Sequence, residues 1–263
     1  MQVAEKVVLV TGASMGIGRA IAHALVKRGA KVAFAARSLD LLEAEVAKAG
    51  PNALAVRLDV TSATSVAQAM AAVERRFGRL DVVVNNAGSG GPLKRWEELE
   101  PDALRAMFDV HVLGSERVMR AAVPLLRRGG GGALVNFAST LGYVAMPGTS
   151  AYNAAKAAII MLSQTVRQEL AGDGIDVRVF SPPHTSTESG RSMPLNLPKI
   201  FEPDWVAAQF VKFLEGKKAE ALPGGNGALL FVQRLSPALA QRIMNGIGFK
   251  ALENVARLLP GAH

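Results

Sequence analysis

A tyrosine and a lysine four positions apart, with a serine upstream, are residue types that can transfer a proton. Tyr152 and Lys156 lie one turn apart on the same face if this stretch is helical, and Ser139 precedes Tyr152 by thirteen positions. A nearby positive charge lowers the pKa of a tyrosine and allows it to act as a general acid or base. Ser139 could hold the substrate oxygen. An ordinary half-exposed pair on a helix has the same spacing, so the catalytic interpretation requires a cofactor site elsewhere in the chain.

Three glycines follow the first apolar run and precede the first amphipathic segment. Gly12, Gly16 and Gly18 have the spacing G-x-x-x-G-x-G, directly after the apolar residues 7–10. Glycines allow a tight turn and a close approach of the backbone to a pyrophosphate, which the N-terminus of the following helix attracts. A glycine-rich turn between a strand and a helix can also be purely structural. The position after the first strand favours dinucleotide binding.

The end of the second predicted strand indicates which dinucleotide is bound. In dinucleotide-binding folds an acidic residue here binds the ribose 2′-hydroxyl of NAD, whereas a basic residue accommodates the 2′-phosphate of NADP. Ala36 stands where the acid is expected, and Arg37 and Ser38 follow. A guanidinium can bind a phosphate with two hydrogen bonds. A solvated surface charge is the alternative for Arg37, but the missing acid favours the prediction that the cofactor is NADP(H).

Short apolar runs alternate with longer amphipathic segments along most of the chain. The predicted strands are residues 7–10, 31–36, 54–58, 80–84, 133–137, 177–180 and 228–232. The predicted helices are residues 16–28, 39–48, 62–77, 101–128 (one helix or two joined ones), 152–171 and 203–214. Apolar strands that alternate with helices are typical of a parallel sheet covered on both faces, and right-handed crossovers then give a doubly wound α/β fold. The chain length fits one such domain.

Two segments near the C-terminus break this alternation. Residues 183–203 are proline-rich without a clear period, which predicts a loop that closes over the substrate. The apolar residues expected to line the substrate pocket are Met193, Leu195, Leu197, Ile200 and Phe201, with Leu141 and Met146. Residues 237–263 are an amphipathic tail beyond a catalytic domain at 1–236. We expect the tail to dock on its own domain or on a partner subunit, with peripheral membrane contact as the less favoured alternative.

Composition limits the classes of function. The 263-residue chain has no cysteine, and its four histidines lack a metal-ligand spacing, so no metal site is expected. The net charge is +8, but the basic residues are scattered and only two Trp and two Tyr could stack on bases, so we expect no nucleic-acid partner. No apolar run reaches the roughly 18 residues of a transmembrane helix, and the N-terminus lacks the layout of a signal peptide. A cytoplasmic enzyme with an anionic small-molecule ligand is therefore expected.

The glycine pattern and the Tyr-x-x-x-Lys pair occur in the order and spacing of a known family. The motifs are Thr11-Gly-x-x-x-Gly-Ile-Gly, Asn85-Asn86-Ala87-Gly88 after the fourth predicted strand, Ser139, and Tyr152-x-x-x-Lys156. With these four motifs, roughly residues 5–232 resemble the short-chain dehydrogenase/reductase family. The resemblance implies a single-domain, doubly wound Rossmann fold with a mostly parallel seven-stranded sheet and helices on both faces.

The resemblance also implies a role for each matching residue. Tyr152 would be the catalytic acid or base, Lys156 would lower its pKa and hold the nicotinamide ribose, and Ser139 would orient the substrate carbonyl. Asp59 would contact the adenine amino group. With Arg37 from the charge argument, the predicted cofactor-binding residues are Gly12, Ser14, Met15, Gly16, Ile17, Gly18, Arg37, Ser38, Asp59, Val60, Asn86, Ala87, Gly88, Tyr152, Lys156, Pro182 and Thr187.

Three positions depart from the family pattern. His111 stands where the family carries an asparagine that holds a water of the proton relay, and we include it among the catalytic residues. An imidazole could bind that water and make proton delivery pH-dependent near neutrality, or it could be satisfied by backbone groups at a helix bend. Pro183 replaces a glycine near the nicotinamide, which removes an N–H and fixes φ. His184 is more simply a surface histidine than a substrate contact.

These features predict an NADP(H)-dependent oxidoreductase that interconverts a ketone or aldehyde and an alcohol. Hydride would pass to or from the nicotinamide, and Tyr152 would transfer the proton at oxygen. The apolar lid suggests an apolar or mid-sized substrate. His111 and Pro183 motivate the alternative of a dinucleotide-binding sensor or scaffold with weak or no turnover. The resemblance also implies a homodimer or homotetramer, formed through the long helix and the helix that bears Tyr152.

Overall fold

Within residues 1–188 and 199–258, which the computed structural model describes, seven strands form one sheet. They are β1 Val7–Thr11, β2 Lys31–Ala36, β3 Ala53–Arg57, β4 Val82–Asn85, β5 Gly132–Phe137, β6 Ile175–Phe180 and β7 Glu220–Ala221. Their order is β3-β2-β1-β4-β5-β6-β7, and all neighbouring pairs are parallel. The order reverses between β1 and β4, and such a reversal leaves a crevice at the carboxyl ends of the strands.

Helices cover both faces of the sheet. They are α1 Gly16–Lys27, α2 Leu39–Ala49, α3 Ala63–Phe77, α4 Ala103–Phe108, α5 Gly114–Arg128, α6 Ser150–Glu169, α7 Pro203–Glu215, α8 Asn226–Leu235 and α9 Pro237–Leu258. Alternate side chains of each strand enter two different cores: Val8 and Val10 pack with α1 and α7, whereas Val7 and Leu9 pack with α3 and α5. The predicted doubly wound Rossmann fold is confirmed.

The last strand is not where the sequence predicts it. Residues 228–232 lie within helix α8, and the strand that pairs with Val179 and Phe180 is the two-residue β7. The prediction of a strand at 228–232 is therefore wrong. An apolar run of this length fits a buried strand as well as a short piece of helix. Gly225 takes a left-handed conformation (φ 88°) directly before α8, which lets the chain turn into the helix.

The long helix predicted over residues 101–128 is two joined helices. A π-helical turn, Asp109–Leu113, connects α4 to α5. A π-turn accommodates an additional residue in the helix and is frequent at functional sites. His111 lies in this turn and is buried, so the irregularity falls at the position where the chain departs from the family pattern.

The C-terminal helix α9 docks on the chain's own domain, which is one of the arrangements predicted. Met244 packs with Val144 and Met146 from the segment between β5 and α6. A Cβ on Gly248 would lie 2.7 Å from the carbonyl oxygen of Pro147, so the helix approaches this segment closely. In the part of the chain that the structure describes, no helix is both long and apolar enough to cross a membrane. The domain boundary at residue 236 stays a prediction.

The predicted lid lies only partly within the described residues. Three of its apolar residues fall outside them: Met193, Leu195 and Leu197. Phe201 is buried against the first core, with its ring centroid 4.3 Å from that of Trp205, and its backbone pairs with Thr185. Phe201 therefore packs on the domain instead of lining the pocket, contrary to expectation, because this pairing ties it to the turn after β6. Ile200 is half exposed.

Candidate active site

A cleft of about 630 Å³ opens at the carboxyl ends of the strands. Each of the first six strands is followed by a segment that contributes residues to the cleft, and α6 contributes Tyr152 and Lys156. Every residue predicted from the sequence to act in catalysis or to bind the cofactor lines this cleft. The fold thus brings together motifs that are far apart in the sequence.

The loop after β1 has a backbone conformation that side chains at its glycine positions would prevent. Gly12 and Gly16 have positive φ angles of 68° and 55°, which favour glycine. A Cβ on Gly18 would overlap the carbonyl oxygen of Gly12 and the side-chain amide of Asn86. That amide donates a hydrogen bond of 3.0 Å to the carbonyl oxygen of Thr11 and so ties the loop to the end of β4. The glycines permit close packing of β1, α1 and β4 under the cleft.

The N-terminus of α1 directly follows this loop and lines the cleft. The N-cap residue is Met15, whose side chain makes no capping hydrogen bond, and the first turn of α1 has no acidic residue. The N–H groups of the first turn and the helix dipole therefore favour an anion. The cradle and these donors fit the pyrophosphate of a dinucleotide, which the backbone at Gly16 and Ile17 would hold.

Opposite charges lie farther along the cleft. Arg37 and Ser38 follow β2 and are exposed, and Asp59 follows β3. Thr61 donates two hydrogen bonds to Asp59 Oδ1, from its backbone N–H at 2.9 Å and its hydroxyl at 2.7 Å. These bonds, with a smaller effect of Arg37, lower the pKa of Asp59. The carboxylate is therefore charged and can accept a hydrogen bond from an amino group, while a phosphate can reach Arg37 from solvent.

Ser139, Tyr152 and Lys156 meet on the opposite wall of the cleft. Ser139 follows β5 and lines the cleft with Tyr152, and its Oγ accepts a bond of 3.2 Å from the backbone N–H of Leu141. Lys156 Nζ donates to the carbonyl oxygen of Phe137 at 2.7 Å and lies 5.6 Å from the ring centroid of Tyr152. The predicted shared helix face is confirmed. Lys156 is only 5% exposed, which an ordinary surface pair would not show.

Burial shifts the pKa values of this pair in opposite directions. Burial raises the pKa of Tyr152, and the hydrogen bond with Ser139 opposes this effect. Burial lowers the pKa of Lys156 to about 7. The sequence-based expectation was a lowered pKa for Tyr152. The structure differs because burial penalises the phenolate. The phenol therefore keeps its proton at neutral pH and can act as an acid.

His111 contacts both Ser89, in the loop after β4, and Tyr152. Its Nε2 lies 2.9 Å from the carbonyl oxygen of Ser89, and its ring is perpendicular to that of Tyr152 at 5.7 Å between centroids. A carbonyl oxygen cannot donate, so Nε2 carries the proton and Nδ1 is left as an acceptor. Burial, and to a lesser extent the charge of Lys156, lowers the pKa of His111 to about 3. Of the two alternatives for His111, the histidine satisfied by a backbone group at a helix bend agrees with the structure, and titration near neutrality does not, because the imidazole is buried.

The turn after β6 lines another part of the cleft. Pro182, Pro183, His184 and Thr187 all line it. Thr187 lies over the glycine loop: a Cβ on Gly16 would be 3.2 Å from its Cγ2. His184 is partly buried, and burial lowers its pKa. It is therefore a cleft residue and not the simple surface histidine that the sequence suggested.

Sequence reasoning missed one wall of the cleft. Leu141 and Met146 line it as predicted, but Leu229 of α8 and Met244 and Ile247 of α9 line it as well. The tail showed an amphipathic period, but nothing in that period indicates which surface the apolar face covers. The position of α9 is determined by its close approach to Pro147, a tertiary contact that the sequence pattern does not indicate.

The family is shown by the match to a family model. The model described as short chain dehydrogenase matches residues 6–196, which is more than half of the chain. The chain belongs to the short-chain dehydrogenase/reductase family, and it is an oxidoreductase of this Rossmann-type family, whose members bind a nicotinamide dinucleotide.

Two relatives cover most of the chain. It is 36% identical over 232 residues to the short chain dehydrogenase mpl6 of Monascus purpureus, covering 83% of this chain and 78% of that protein. It is 31% identical over 259 residues to the ketoacyl reductase HetN of Nostoc sp., covering 92% of this chain and 89% of that protein.

Solved structures share the fold. A short-chain dehydrogenase from Streptomyces avermitilis matches with a TM-score of 0.80 and 33% identity, over 97% of this chain and 98% of that one. A 3-ketoacyl-(acyl-carrier-protein) reductase from Brucella melitensis, complexed with NADH, has a TM-score of 0.78 and 28% identity, over 84% and 96%. An alcohol dehydrogenase from Thermococcus sibiricus, complexed with 5-hydroxy-NADP, has a TM-score of 0.75 and 34% identity, over 82% and 94%.

Proposed function

We propose that the chain is an NADP(H)-dependent oxidoreductase that interconverts a ketone or aldehyde and an alcohol. The observation that carries this proposal is that Ser139, Tyr152 and the buried Lys156 line the same cleft as the glycine loop. The two hydroxyl groups can hold a carbonyl oxygen and protonate it, and the loop can hold a dinucleotide beside them. A module that only binds the dinucleotide would not need this arrangement.

The chain's own residues would control the oxygen of the substrate. The bound nicotinamide supplies or accepts the hydride at the substrate carbon. Ser139 donates a hydrogen bond to the substrate oxygen and places it beside Tyr152. Because burial keeps the proton on Tyr152, the phenol can give it to the oxygen as negative charge develops there. Lys156 is positively charged below its pKa of about 7 and stabilises the phenolate that remains.

The preference for NADP(H) rests on the end of β2. Ala36 leaves no carboxylate to bind a 2′-hydroxyl or to repel a phosphate, and the exposed Arg37 lies next to it at the cleft. The structural neighbours do not decide the cofactor, since one is complexed with NADH and another with 5-hydroxy-NADP. The charge at this position is therefore what supports NADP(H) in this chain.

The walls around the reacting oxygen support an apolar or mid-sized substrate. Leu141 and Met146 approach from the segment after β5, and Leu229, Met244 and Ile247 approach from the C-terminal helices. A carbonyl compound with an apolar body would bury that body against these side chains. The relatives' names include a ketoacyl reductase and an alcohol dehydrogenase, so a range of carbonyl and alcohol substrates fits this fold.

Oxidation of NADPH, followed by its absorbance with a panel of apolar ketones and aldehydes, tests the proposal. We expect turnover with at least one carbonyl and a fall in kcat of about 100-fold or more in Tyr152→Phe, because the proton donor is lost. Tyr143→Phe is the matched control: the Tyr143 hydroxyl hydrogen-bonds Glu220 at 3.1 Å, and its kcat should stay near the wild-type value. Tight NADPH binding without turnover on any carbonyl or alcohol would support the sensor instead.

The quaternary state and the location stay predictions. We propose a homodimer or homotetramer, supported by the exposed apolar side chains of Leu113, before α5, and of Met161 on α6. A cytoplasmic location is also proposed.

A further inference from the structure

The two C-terminal helices present an outer face that combines apolar and basic side chains. Three large apolar residues near their junction face solvent: Phe231 is 62% exposed, Leu235 is 70% exposed and Leu239 is 50% exposed. Ser236 alone separates α8 from α9, so Leu235 and Leu239 stand on either side of one turn. Exposed apolar groups gathered in this way are a feature of interaction sites.

The same helices carry both cleft-lining and exposed side chains. Met244 and Ile247 point inward and line the cleft. On α9, Leu239, Arg242 and Ile243 lie within one turn of each other, and all three are exposed. The exposed stripe therefore runs beside the wall that closes the substrate cleft, since Ile243 is one turn from Ile247.

The net charge of helices α8 and α9, together called the α8–α9 hairpin, indicates what kind of partner binds their exposed side chains. Residues 226–258 contain four basic side chains and one acidic one, Glu253, which gives a net charge of +3. The basic residues are Arg234, Arg242, Lys250 and Arg257. A second copy of the chain, seated symmetrically on the same face, would bring like charges together at a cost in free energy. Anionic lipid head groups would neutralise these charges, and the apolar side chains would enter the boundary between the head groups and the acyl chains.

We propose that the α8–α9 hairpin docks on the surface of an anionic lipid bilayer and lies in its interface. Docking there would place the apolar wall formed by Met244 and Ile247 next to the lipid. An apolar carbonyl compound could then pass from the bilayer to the cleft. The proposal does not depend on the identity of the substrate or of the cofactor.

Co-sedimentation of the full-length protein with lipid vesicles tests the proposal. The vesicles are phosphatidylcholine alone, or phosphatidylcholine mixed with phosphatidylglycerol, at low and at high salt. We expect the protein to bind the mixed vesicles at low salt, to bind phosphatidylcholine alone about tenfold or more weakly, and to lose part of its binding at high salt. Some binding to the mixed vesicles should persist at high salt, because salt does not screen the apolar contribution to binding.

Two double variants separate the apolar and the charged contributions. Leu235→Ser with Leu239→Ser should weaken binding to the mixed vesicles about tenfold or more. Arg234→Glu with Arg242→Glu should abolish the preference for phosphatidylglycerol. The apolar control is Leu41→Ser with Leu104→Ser, because these residues on α2 and α4 are 47% and 50% exposed. The charge control is Arg57→Glu with Arg75→Glu, since both are exposed at the β3 side of the sheet. Both controls should bind like the wild type.

Three results would overturn the proposal. The first is that the wild-type protein stays in the supernatant with anionic vesicles at low salt. The second is that the hairpin variants and the control variants bind equally. The third is that the wild type does not bind vesicles and Leu235→Ser with Leu239→Ser lowers the molar mass of the protein in solution. This face would then be a contact between copies of the chain.

Discussion

His111 shows how burial decides the charge of a group beside Tyr152. Its Nε2–H is directed to the carbonyl oxygen of Ser89, so Nδ1 offers a lone pair to a water or an ammonium group. With a pKa of about 3, the imidazole stays neutral throughout the pH range in which such an enzyme works. If it takes the place of the family's asparagine, it does so as a neutral hydrogen-bonding group and not as a titrating acid.

The low pKa of His111 has a consequence for stability in acid. Between about pH 6.5 and pH 3 the unfolded chain binds a proton at this position and the folded chain does not, so the free energy of unfolding decreases as the pH falls through this window. His111→Asn removes this titration. At about pH 4.5 the loss of stability relative to about pH 7.5 should be smaller by about 2 kcal/mol in the variant. Denaturant unfolding at both pH values measures the difference.

His23→Asn serves as the control for this prediction. His23 lies outside the cleft and pairs with Glu45 at 2.7 Å, so removing it should not reduce the loss of stability in acid. An equal loss in wild type and His111→Asn would mean that the imidazole is protonated in the folded protein, and the buried neutral state described above would be wrong.

At the scale of residues, sequence spacing predicted where the side chains lie better than it predicted their pKa values. The four-residue step correctly placed Tyr152 and Lys156 on one face of a helix that lines the cleft. The sign of the pKa shift of Tyr152 was wrong, because it depends on how much water the surrounding elements exclude. No pattern within α6 contains that information. The same holds for His111, which is buried within the π-helical turn.

At the scale of elements, long periodic segments were predictable and short or docked ones were not. The strands of the first six βα units and their helices lie where the apolar runs and amphipathic segments predict them, within a few residues. The strand β7 has only Glu220 and Ala221 and carries no pattern of its own. Residues 228–232 were misassigned because a short apolar run fits either structure. The inner face of α9 could not be predicted, because it depends on which surface the helix meets.

The docking of α9 can be tested at one glycine. A Cβ on Gly248 would lie 2.7 Å from the oxygen, 2.8 Å from Cδ and 3.0 Å from the nitrogen of Pro147, and the backbone there cannot yield easily. We expect Gly248→Ala to push α9 away from this segment and to cost about 1–3 kcal/mol of stability, as overpacking usually does. The KM for an apolar carbonyl should rise, because Met244 and Ile247 move with the helix, while the KM for NADPH stays unchanged. Thermal unfolding and steady-state kinetics measure these effects.

Gly246 provides the matched control on the same helix. A Cβ there meets no atom within 4 Å, and the residue is exposed. Gly246→Ala should therefore stabilise the protein, by up to about 1 kcal/mol, through helix propensity alone. Equal melting temperatures for the two alanine variants would contradict the close packing of α9 on Pro147.

At the scale of the whole molecule, the sheet order turns separate motifs into one ligand site. The reversal between β1 and β4 places the glycine loop at the centre of the cleft, with Arg37 and Asp59 on the β2–β3 side and Ser139 on the β5 side. A dinucleotide that spans this cleft would contact residues from most of the strands. Its binding should therefore stabilise the fold as a whole.

Ligand-induced stabilisation measures the cofactor preference without any substrate. A ligand present at a hundredfold excess over its Kd adds about 2.7 kcal/mol to the stability of the folded state. Because Arg37 can pair with a 2′-phosphate and Ala36 offers no acid to a 2′-hydroxyl, NADP⁺ should raise the melting temperature more than NAD⁺ at the same concentration. In Arg37→Asp the order of the two cofactors should be reversed, since a carboxylate repels the phosphate and accepts a bond from the hydroxyl.

The control for Arg37→Asp is the same change at Arg75, an exposed arginine on α3 that does not line the cleft. Arg75→Asp alters the net charge of the protein by the same amount, so it should keep the larger shift with NADP⁺. A preference for NADP⁺ that survives in Arg37→Asp, or that disappears equally in both variants, would show that general electrostatic attraction selects the cofactor. In that case the end of β2 would not determine the choice between NADP(H) and NAD(H).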